Sequence, residues 1–262
     1  MKALSYLDLA WSTLPVLLAM LVLWARGLGQ VGPLALGLTR LTAQLWLLGL
    51  VLGWVFRHPS PSTLAAVAGV MLLASAQAVG SGSGPGGWGL RLQALGAIAV
   101  GGVISMAVIV GLTLRLRPWY DLRTVVPILG MILGNSVGGV SLAAERLGAD
   151  LRAERDRVEL RLSLGATARR AALPSLRTAT RAALTPIVRN MMIVGIVSIP
   201  GMTTGQLLAG AGVEVALRYQ VLVYLGISGT VALSTLILLR LRLRHYFTAD
   251  DQLRGDRLGG TL

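Results

Sequence analysis

The sequence contains no cysteine and only one lysine, Lys2, among its 262 residues. Without cysteine the chain has no disulfide, no thiolate metal site and no cysteine-ligated iron–sulfur cluster. The two histidines, His58 and His245, are too few for a histidine metal cage within one chain, so no metal ligand set is assigned. A phosphate-binding loop of the form GxxxxGK[ST] needs a lysine inside the chain. We therefore expect the chain to have no Walker-type ATP site and to bind no cofactor itself.

Charged residues are also scarce, at 13% of the chain, which is about half the share in a soluble domain. Hydrophobic residues make up 54%, and the mean hydropathy is +0.71. These values predict an all-α, polytopic membrane helix bundle, and the length leaves no room for a large soluble domain. The net charge of +13 would also fit nucleic-acid binding, but arginines placed by the positive-inside rule explain it better. We therefore expect a multi-pass protein of a bacterial inner membrane and no nucleic-acid partner.

Seven apolar runs are predicted as membrane spans, at residues 6–24, 40–56, 63–79, 92–114, 125–144, 184–209 and 221–239. The second run begins at Arg40, so its first turn is expected at the interface. The sixth is interrupted by Pro186 and by Pro200-Gly201. With seven spans, the arginine distribution predicts an external N-terminus and a cytoplasmic C-terminus.

Two other segments are predicted to lack regular structure. Residues 81–89, with the sequence SGSGPGGWG, are predicted as a flexible loop. The short polar tail after Phe247 is predicted to be frayed.

The most charged stretch, residues 145–189, joins the fifth and sixth spans and holds 10 of the 23 arginines and 5 of the 11 acidic residues. Residues 145–183 are predicted as a helical cytoplasmic arm. Its apolar stripe has steps of 4, 7 and 4, which is typical of one helix face, and consists of Leu147, Leu151, Val158 and Leu162.

A turn is predicted at residues 164–167, with the sequence LGAT. The hydroxyl of Thr167 is expected to cap a second, short helix, and Pro174 suits the first turn of a third. Such an elbow between two spans favours docking on a soluble partner, although a solvated charged face is the alternative.

Small and polar residues are concentrated in the fifth and sixth spans. Small residues at a spacing of four favour close helix packing over a path, and they are Gly130, Gly134 and Gly138, then Gly201 and Gly205. Asn135 fits an interhelical hydrogen bond and a substrate contact equally well. Met131 and Met202 offer thioethers to a soft metal, or pack as ordinary apolar residues. The predicted substrate path comprises Met131, Asn135, Ser136, Met202, Thr204 and Gln206.

Three motifs occur in order along the chain: PILGMILGN at 127–135, LGAT at 164–167 and VSIPGMTTGQ at 197–206, followed by RYQ at 218–220. Together they resemble the small ABC permease family that includes bacterial iron-export permeases and plant aluminium-tolerance permeases, over residues 1–247. Glu159, Gly165 and Pro174 also resemble in part the EAA motif of ABC importer permeases, with a shorter distance to the proline. Gln77 departs from the family, in which a charged residue is commoner at the end of the third span.

The resemblance implies a permease subunit, not an enzyme, that works as a homodimer in the bilayer with a separately encoded ABC ATPase. ATP and Mg would be bound by that partner, so the complex would be an ATP-driven translocase. The implied cargo is a metal ion, iron first, and a sugar nucleotide or organic solute would also fit the plant members. The residues expected to couple the chain to the ATPase are Glu159, Leu164, Gly165, Ala166, Thr167 and Arg169.

A secondary transporter or channel that needs no ATPase is the alternative. It predicts inverted repeats and an ionisable residue in mid-membrane. The sequence shows no clear repeat, and the polar groups placed in mid-span by the seven predicted spans are neutral.

Overall fold

The computed structural model describes residues 5–82 and 87–258. Within these ranges the regular structure is helical, apart from two isolated bridges, Val194–Ser198 and Phe247–Leu253. The all-α prediction is confirmed. The predicted loop at 81–89 lies partly outside the described residues, and Gly87 already begins a helix.

The chain divides into two compact units, Met1–His58 and Pro59–Leu262. The first unit contains α1 (Tyr6–Ser12), α2 (Leu14–Ala25) and α3 (Val31–Val55). Ser5 begins α1 with a capping box, in which the Ser5 N–H donates to Asp8 Oδ2 at 2.9 Å.

The predicted start of the second span was wrong. Helix α3 begins at Val31, so Arg40 is its tenth residue and not an interfacial first residue. Pro33 does not break this helix, because a proline in the first turn has no hydrogen bond to lose. The helical structure is interrupted in the turn between α2 and α3, where Gly27 and Gly29 adopt positive φ angles of 63° and 67°.

The second unit begins with α4 (Pro61–Gly82) and α5 (Gly87–Met106), and α5 continues as a π-helix (Ala107–Thr113). The remaining elements are α6 (Leu122–Ala153), α7 (Arg155–Ser163), α8 (Ala168–Ala171), α9 (Leu173–Ile193), α10 (Gly201–Leu208), α11 (Val213–Tyr246) and a 3₁₀ turn (Gly255–Leu258).

Six helical segments of the described residues are long and apolar enough to cross a membrane: Leu7–Ala25, Val31–Val55, Pro61–Val79, Gly87–Thr113, Leu122–Ala153 and Val213–Tyr246. The predicted sixth span is absent from this set because residues 194–200 divide it into α9 and α10. An interruption at Pro200-Gly201 was predicted and is confirmed, whereas Pro186 lies inside the continuous helix α9.

The core of the second unit forms where α6, α9 and α11 meet. A methyl group added at Gly139 of α6 would lie 2.7 Å from Val231 Cγ1 of α11 and 3.3 Å from the Ala183 carbonyl oxygen of α9. Only glycine therefore allows the three helices to approach this closely. Ile132 and Ile187 are buried beside this point and belong to one apolar cluster.

Candidate transport path and coupling arm

A cavity of about 520 Å³, here called the α6–α10 cavity, lies at the N-terminal end of α6. Its lining comes from the first three turns of α6, from α10 and from the start of α11, and comprises Arg123, Thr124, Pro127, Ile128, Met131, Met202, Gln206 and Tyr219. Three of the six predicted path residues, Met131, Met202 and Gln206, are thus brought to one place by two separate helices.

Helix α10 is held in place by a buried polar contact. Thr203 Oγ1 donates a hydrogen bond to Gln220 Oε1 of α11 at 3.0 Å, and both side chains are buried. Met202 and Gln206 are one turn apart and share another face of α10, which turns to the cavity. Gln206 Oε1 is buried without a hydrogen-bond partner among the described residues, which is uncommon for an amide oxygen.

The chain reaches α10 through an irregular segment at residues 194–200. Gly195 adopts a φ of 81° and its N–H donates to the Ser198 carbonyl at 2.9 Å. The segment carries exposed apolar side chains, with Ile196 at 87% and Val197 at 78% exposure. Backbone that is neither helix nor closed barrel is tolerated at membrane depth only beside protein or a water-filled cavity, which agrees with the cavity found next to α10.

The other three predicted path residues do not line this cavity. Ser136 is fully buried, and its hydroxyl donates to the Ile132 carbonyl at 2.8 Å within the same helix. Thr204 faces away from the cavity and donates to the Pro200 carbonyl at 3.3 Å. Asn135 is exposed and donates to the Met131 carbonyl at 2.8 Å, so its interhelical hydrogen bond is not formed within the chain.

One face of α6, here called the open face, runs from the α6–α10 cavity toward the arm. With Met131 included, its positions recur every three or four residues, apart from the adjacent pair Gly134 and Asn135. Its exposed residues are Arg123, Pro127, Gly134, Asn135, Gly138, Leu142 and Arg146. Half-buried Met131 lies on the same line. Helix α6 therefore presents a continuous unpacked surface along most of its length.

The glycines predicted for helix packing divide into two groups. A methyl group at Gly130 would lie 3.1 Å from Met71 Cε of α4, so this position is packed. Methyl groups at the other four positions would meet no described atom beyond their own helix within 4 Å, namely Gly134, Gly138, Gly201 and Gly205. Packing at those four positions stays a prediction.

A second concave site, here called the α6–α9 groove, lies at the other end of the open face. It has a volume of about 440 Å³ and is lined by Arg146, Thr178, Arg181, Ala182, Thr185, Pro186 and Arg189. Arg146 Nε forms an ion pair with Asp150 Oδ1 at 3.0 Å. Thr185 Oγ1 donates to the Arg181 carbonyl at 2.6 Å, which leaves the hydroxyl oxygen free to accept but not to donate.

Several site residues were missed from the sequence. Arg123 was treated as a loop charge, although it precedes Pro127 and Met131 by one and two helical turns. Tyr219 lies in the RYQ motif but was given no role. Arg189 fell inside the predicted sixth span but was given no role, and the structure places it in α9, which packs along the apolar part of α6.

The arm is continuous with α6. Helix α6 runs to Ala153 and bends at Glu154 into α7. Leu147, Leu151 and Val158 of the predicted stripe are completely buried, and Leu162 packs against the same cluster, so the stripe is confirmed. Because these residues share one core with Leu239 of α11, a force applied to the arm acts on both long helices.

The predicted turn at residues 164–167 is present. Gly165 has a φ of 84°, a conformation that a branched side chain adopts only with strain. Thr167 occupies the N-cap position of α8, but its hydroxyl makes no capping hydrogen bond, so that part of the prediction was wrong. The carboxylate of Asp251 accepts from the Ala168 N–H instead, at 3.0 Å. Pro174 lies in the first turn of α9, as predicted.

The tail is folded as far as Leu258, contrary to the prediction that it frays after Phe247. Phe247 and Leu258 are buried in the core of the arm. The Arg254 N–H donates to the Tyr246 carbonyl at 2.8 Å, and Arg152 donates to the Leu258 carbonyl at 3.1 Å. The apolar residues of the tail are too few to show a period, so the sequence did not reveal that the tail packs in one cluster with Leu147 and Leu151 of the arm.

The tip of the arm remains open. Leu160 and Leu164 are 59% and 79% exposed, which leaves two large apolar side chains on a surface outside the apolar spans. Glu159 pairs with Arg155 at 2.8 Å and lines a concavity of about 410 Å³ between α7 and the tail, together with Ala166. Arg169 is exposed on α8.

The acidic side chains are not arranged as a metal site. Among the described residues no group of three or more histidines, aspartates and glutamates lies close enough to hold a metal ion. The candidate path offers thioether, amide, hydroxyl and guanidinium groups instead.

Comparison with known proteins gives consistent matches along the chain. Residues 6–247 match a family described as "Uncharacterised protein family (UPF0014)". The chain is 35% identical over 256 residues to the UPF0014 membrane protein slr1647 of Synechocystis, which covers 95% of this chain and 96% of that protein. No solved structure matches the chain.

Two further relatives confirm the resemblance drawn from the three motifs. The probable iron export permease protein FetB of Escherichia coli is 37% identical over 158 residues, 60% of each chain. The protein ALUMINUM SENSITIVE 3 of Arabidopsis thaliana is 27% identical over 239 residues, 91% of this chain and 86% of that protein. Because the family match includes the arm, the irregular segment and both ends of α6, the chain belongs to the UPF0014 family of multi-pass membrane proteins.

Proposed function

We propose that this chain is the membrane-spanning permease subunit of an ABC exporter, powered by ATP that a separate ATPase subunit hydrolyses. The observation that carries the proposal is the tip of the arm. Two exposed leucines, Leu160 near the end of the short helix α7 and Leu164 just after it, precede the positive-φ Gly165 outside the apolar spans. A surface of this kind, embedded in a charged arm, suits a groove on a soluble partner.

The connection from the arm to the path supports the same proposal. Helix α6 is one continuous helix from the α6–α10 cavity to Ala153, a length of roughly 48 Å at 1.5 Å per residue. The hydrocarbon core is about 30 Å thick, so α6 spans it and projects on the arm side. A rigid helix that bears the docking arm at one end and the cavity at the other transmits movement between them.

For the cargo we propose a metal, iron first. The name of the Escherichia coli relative supports this choice, as do the two thioethers, Met131 and Met202, on one cavity. We also propose that two copies work together, since Gly134 and Gly138 lie in open space on α6 and would admit a second helix.

The arm is tested by comparing two glycine variants with the same backbone strain. Gly165→Val places a branched side chain at φ 84°, and Gly210→Val does so at φ 88° in the turn between α10 and α11. A Cβ atom added at either position meets no neighbouring atom within 4 Å, so the expected effect of each substitution is backbone strain. Both variants are expected to insert into the membrane.

Only Gly165→Val is expected to lose the ABC ATPase on affinity purification, with loss of ATP-dependent transport. The captured protein is identified by mass spectrometry as carrying ATPase motifs. If Gly165→Val retains the ATPase at unchanged transport, the arm is not the coupling surface.

A further inference from the structure

We infer that the path takes a small solute bearing an oxyanion, a phosphate or a carboxylate group, and that it enters through the α6–α9 groove. A metal would then pass as an anionic carboxylate complex and not as a bare cation. This inference rests on the proposed export function and narrows the class of cargo.

The charge of the groove is the first observation. Three of its seven lining residues are arginines, Arg146, Arg181 and Arg189, and none is acidic. Asp150 pairs with Arg146, but Arg181 and Arg189 form no ion pair with any described residue. Three like charges facing one cavity repel each other, and a bound oxyanion would relieve that repulsion through charge-assisted hydrogen bonds.

The directions of the helices explain why these side chains converge. Helices α6 and α9 are antiparallel, since Gly139 lies beside Ala183 while Ile132 packs in one cluster with Ile187. Long helical side chains lean toward the N-terminus of their own helix. Arg146 therefore leans away from the arm and Arg189 leans toward it, so both reach the same groove.

The depth of Arg189 is the second observation. Ala183 is level with Gly139, and Arg189 lies six residues further along α9, roughly 9 Å deeper at 1.5 Å per residue. The Cα of Arg189 is therefore level with about residue 133 of α6, close to the middle of the apolar stretch 125–144, and its side chain leans back from there toward the arm. An arginine whose backbone lies at that depth is costly to place in hydrocarbon, which favours a polar pathway beside it.

The positive-inside rule does not account for this arginine. The rule places arginines in loops and near the ends of spans, which describes Arg177 but not Arg189. Nor is the second cavity neutral: Arg123 lines the α6–α10 cavity, and no carboxylate lines it. The open face of α6, with Gly138 and Asn135, joins the two sites. A cation would thus meet arginine at both ends, whereas an anion is attracted at both.

The test measures binding to the full chain, without any ATPase, in nanodiscs of phosphatidylcholine alone. The probes are sodium citrate, sodium phosphate, ferric citrate and ferrous chloride, followed by isothermal titration calorimetry. The variant Arg189→Gln is compared with Arg177→Gln, which removes an exposed arginine of the same helix that does not line the groove. Arg189→Lys keeps the positive charge without the guanidinium fork, so it serves as the folding control and shows how much of the affinity comes from charge alone.

We expect at least one oxyanion probe to bind and its dissociation constant to rise roughly tenfold or more in Arg189→Gln. Arg177→Gln and Arg189→Lys should retain most of the affinity. Equal binding by Arg189→Gln and Arg177→Gln would overturn the inference, as would binding of ferrous chloride alone. Binding that requires added phosphatidylglycerol would instead assign the groove to a lipid headgroup and also overturn it.

The two proposals fail in different ways. ATP-driven flux of free ferrous ion that is unchanged in Arg189→Gln would leave the ABC function standing and remove the oxyanion cargo. If oxyanion binding is lost in Arg189→Gln and no ATPase is recruited to the arm, the oxyanion cargo stands and the ABC function is removed.

Discussion

The contact at Gly139 can be tested by a pair of neighbouring substitutions. Gly139→Ala places a methyl group 2.7 Å from Val231 Cγ1 and 3.3 Å from the Ala183 carbonyl oxygen, whereas Gly138→Ala places one in open space. Replacing glycine by alanine in a helix interior stabilises it by about 0.5–1 kcal/mol, and this gain is common to both variants. Overpacking costs typically about 1–3 kcal/mol and applies to Gly139→Ala alone.

The two variants should therefore differ by about 1–3 kcal/mol, with Gly139→Ala the less stable. Apparent Tm, followed by the fluorescence of the six tryptophans in detergent, is the assay. In a chain of this size each kcal/mol corresponds to about 2–4 °C. Equal Tm values for the two variants would show that α6, α9 and α11 do not meet at Gly139. The depth assigned to Arg189 would then be unsupported, because it is counted from that contact.

Three further predictions concern the cavity, the tail and the topology. Replacing Met131 and Met202 together by Leu keeps the side-chain volume and should abolish the stimulation of ATPase activity by iron. The control Met192→Leu, at an exposed methionine outside the cavity, should leave that stimulation unchanged. An unchanged response in the double variant would show that the two thioethers serve only in packing. Asp251→Ala removes the hydrogen-bond acceptor at the start of α8 and should destabilise the arm by about 1 kcal/mol. Limited proteolysis should cleave this variant faster, whereas Asp251→Asn keeps an acceptor oxygen and should be cleaved nearly as slowly as the parent. Equal cleavage of the two variants would contradict this prediction. A cysteine at Ala153 in this cysteine-free chain should react only with membrane-permeant reagents, so labelling from outside intact cells would reverse the assigned sidedness.

The elements predicted best from the sequence are those with a clear period. The stripe of Leu147, Leu151 and Val158 identified the buried face of the arm because helical spacing alone places those residues together. The LGAT turn was found because Gly165 needs a conformation that few other residues adopt.

Features that depend on packing between distant segments could not be predicted from the sequence. Arg40 was taken as the first residue of the second span, but the long helix α3 tolerates this one exposed charge near its middle. Asp251 replaced Thr167 as the acceptor for α8 because the tail folds back over more than eighty residues. The depth of Arg189 follows from the alignment of α9 with α6, which no local pattern encodes.

The lining of the α6–α10 cavity was predicted only in part for the same reason. Met131, Met202 and Gln206 were among the predicted path residues because thioether and amide groups stand out in an apolar span. Ser136 was misplaced because neighbouring residues on a helix point in different directions, so that Asn135 is exposed while Ser136 is buried. Arg123 was overlooked because a span boundary drawn by hydropathy cuts off the first turn of α6.

The proposed ABC export is tested most directly by solute flux in proteoliposomes containing this chain, with and without the ABC ATPase that its arm is proposed to recruit. The proposed mechanism predicts export of iron, supplied as ferric citrate, only when both subunits and hydrolysable ATP are present, and its loss in Gly165→Val. Flux of the same size without ATP or the ATPase, driven by an ion gradient, would contradict it and make the chain a secondary transporter, with Arg189 as its intramembrane charge.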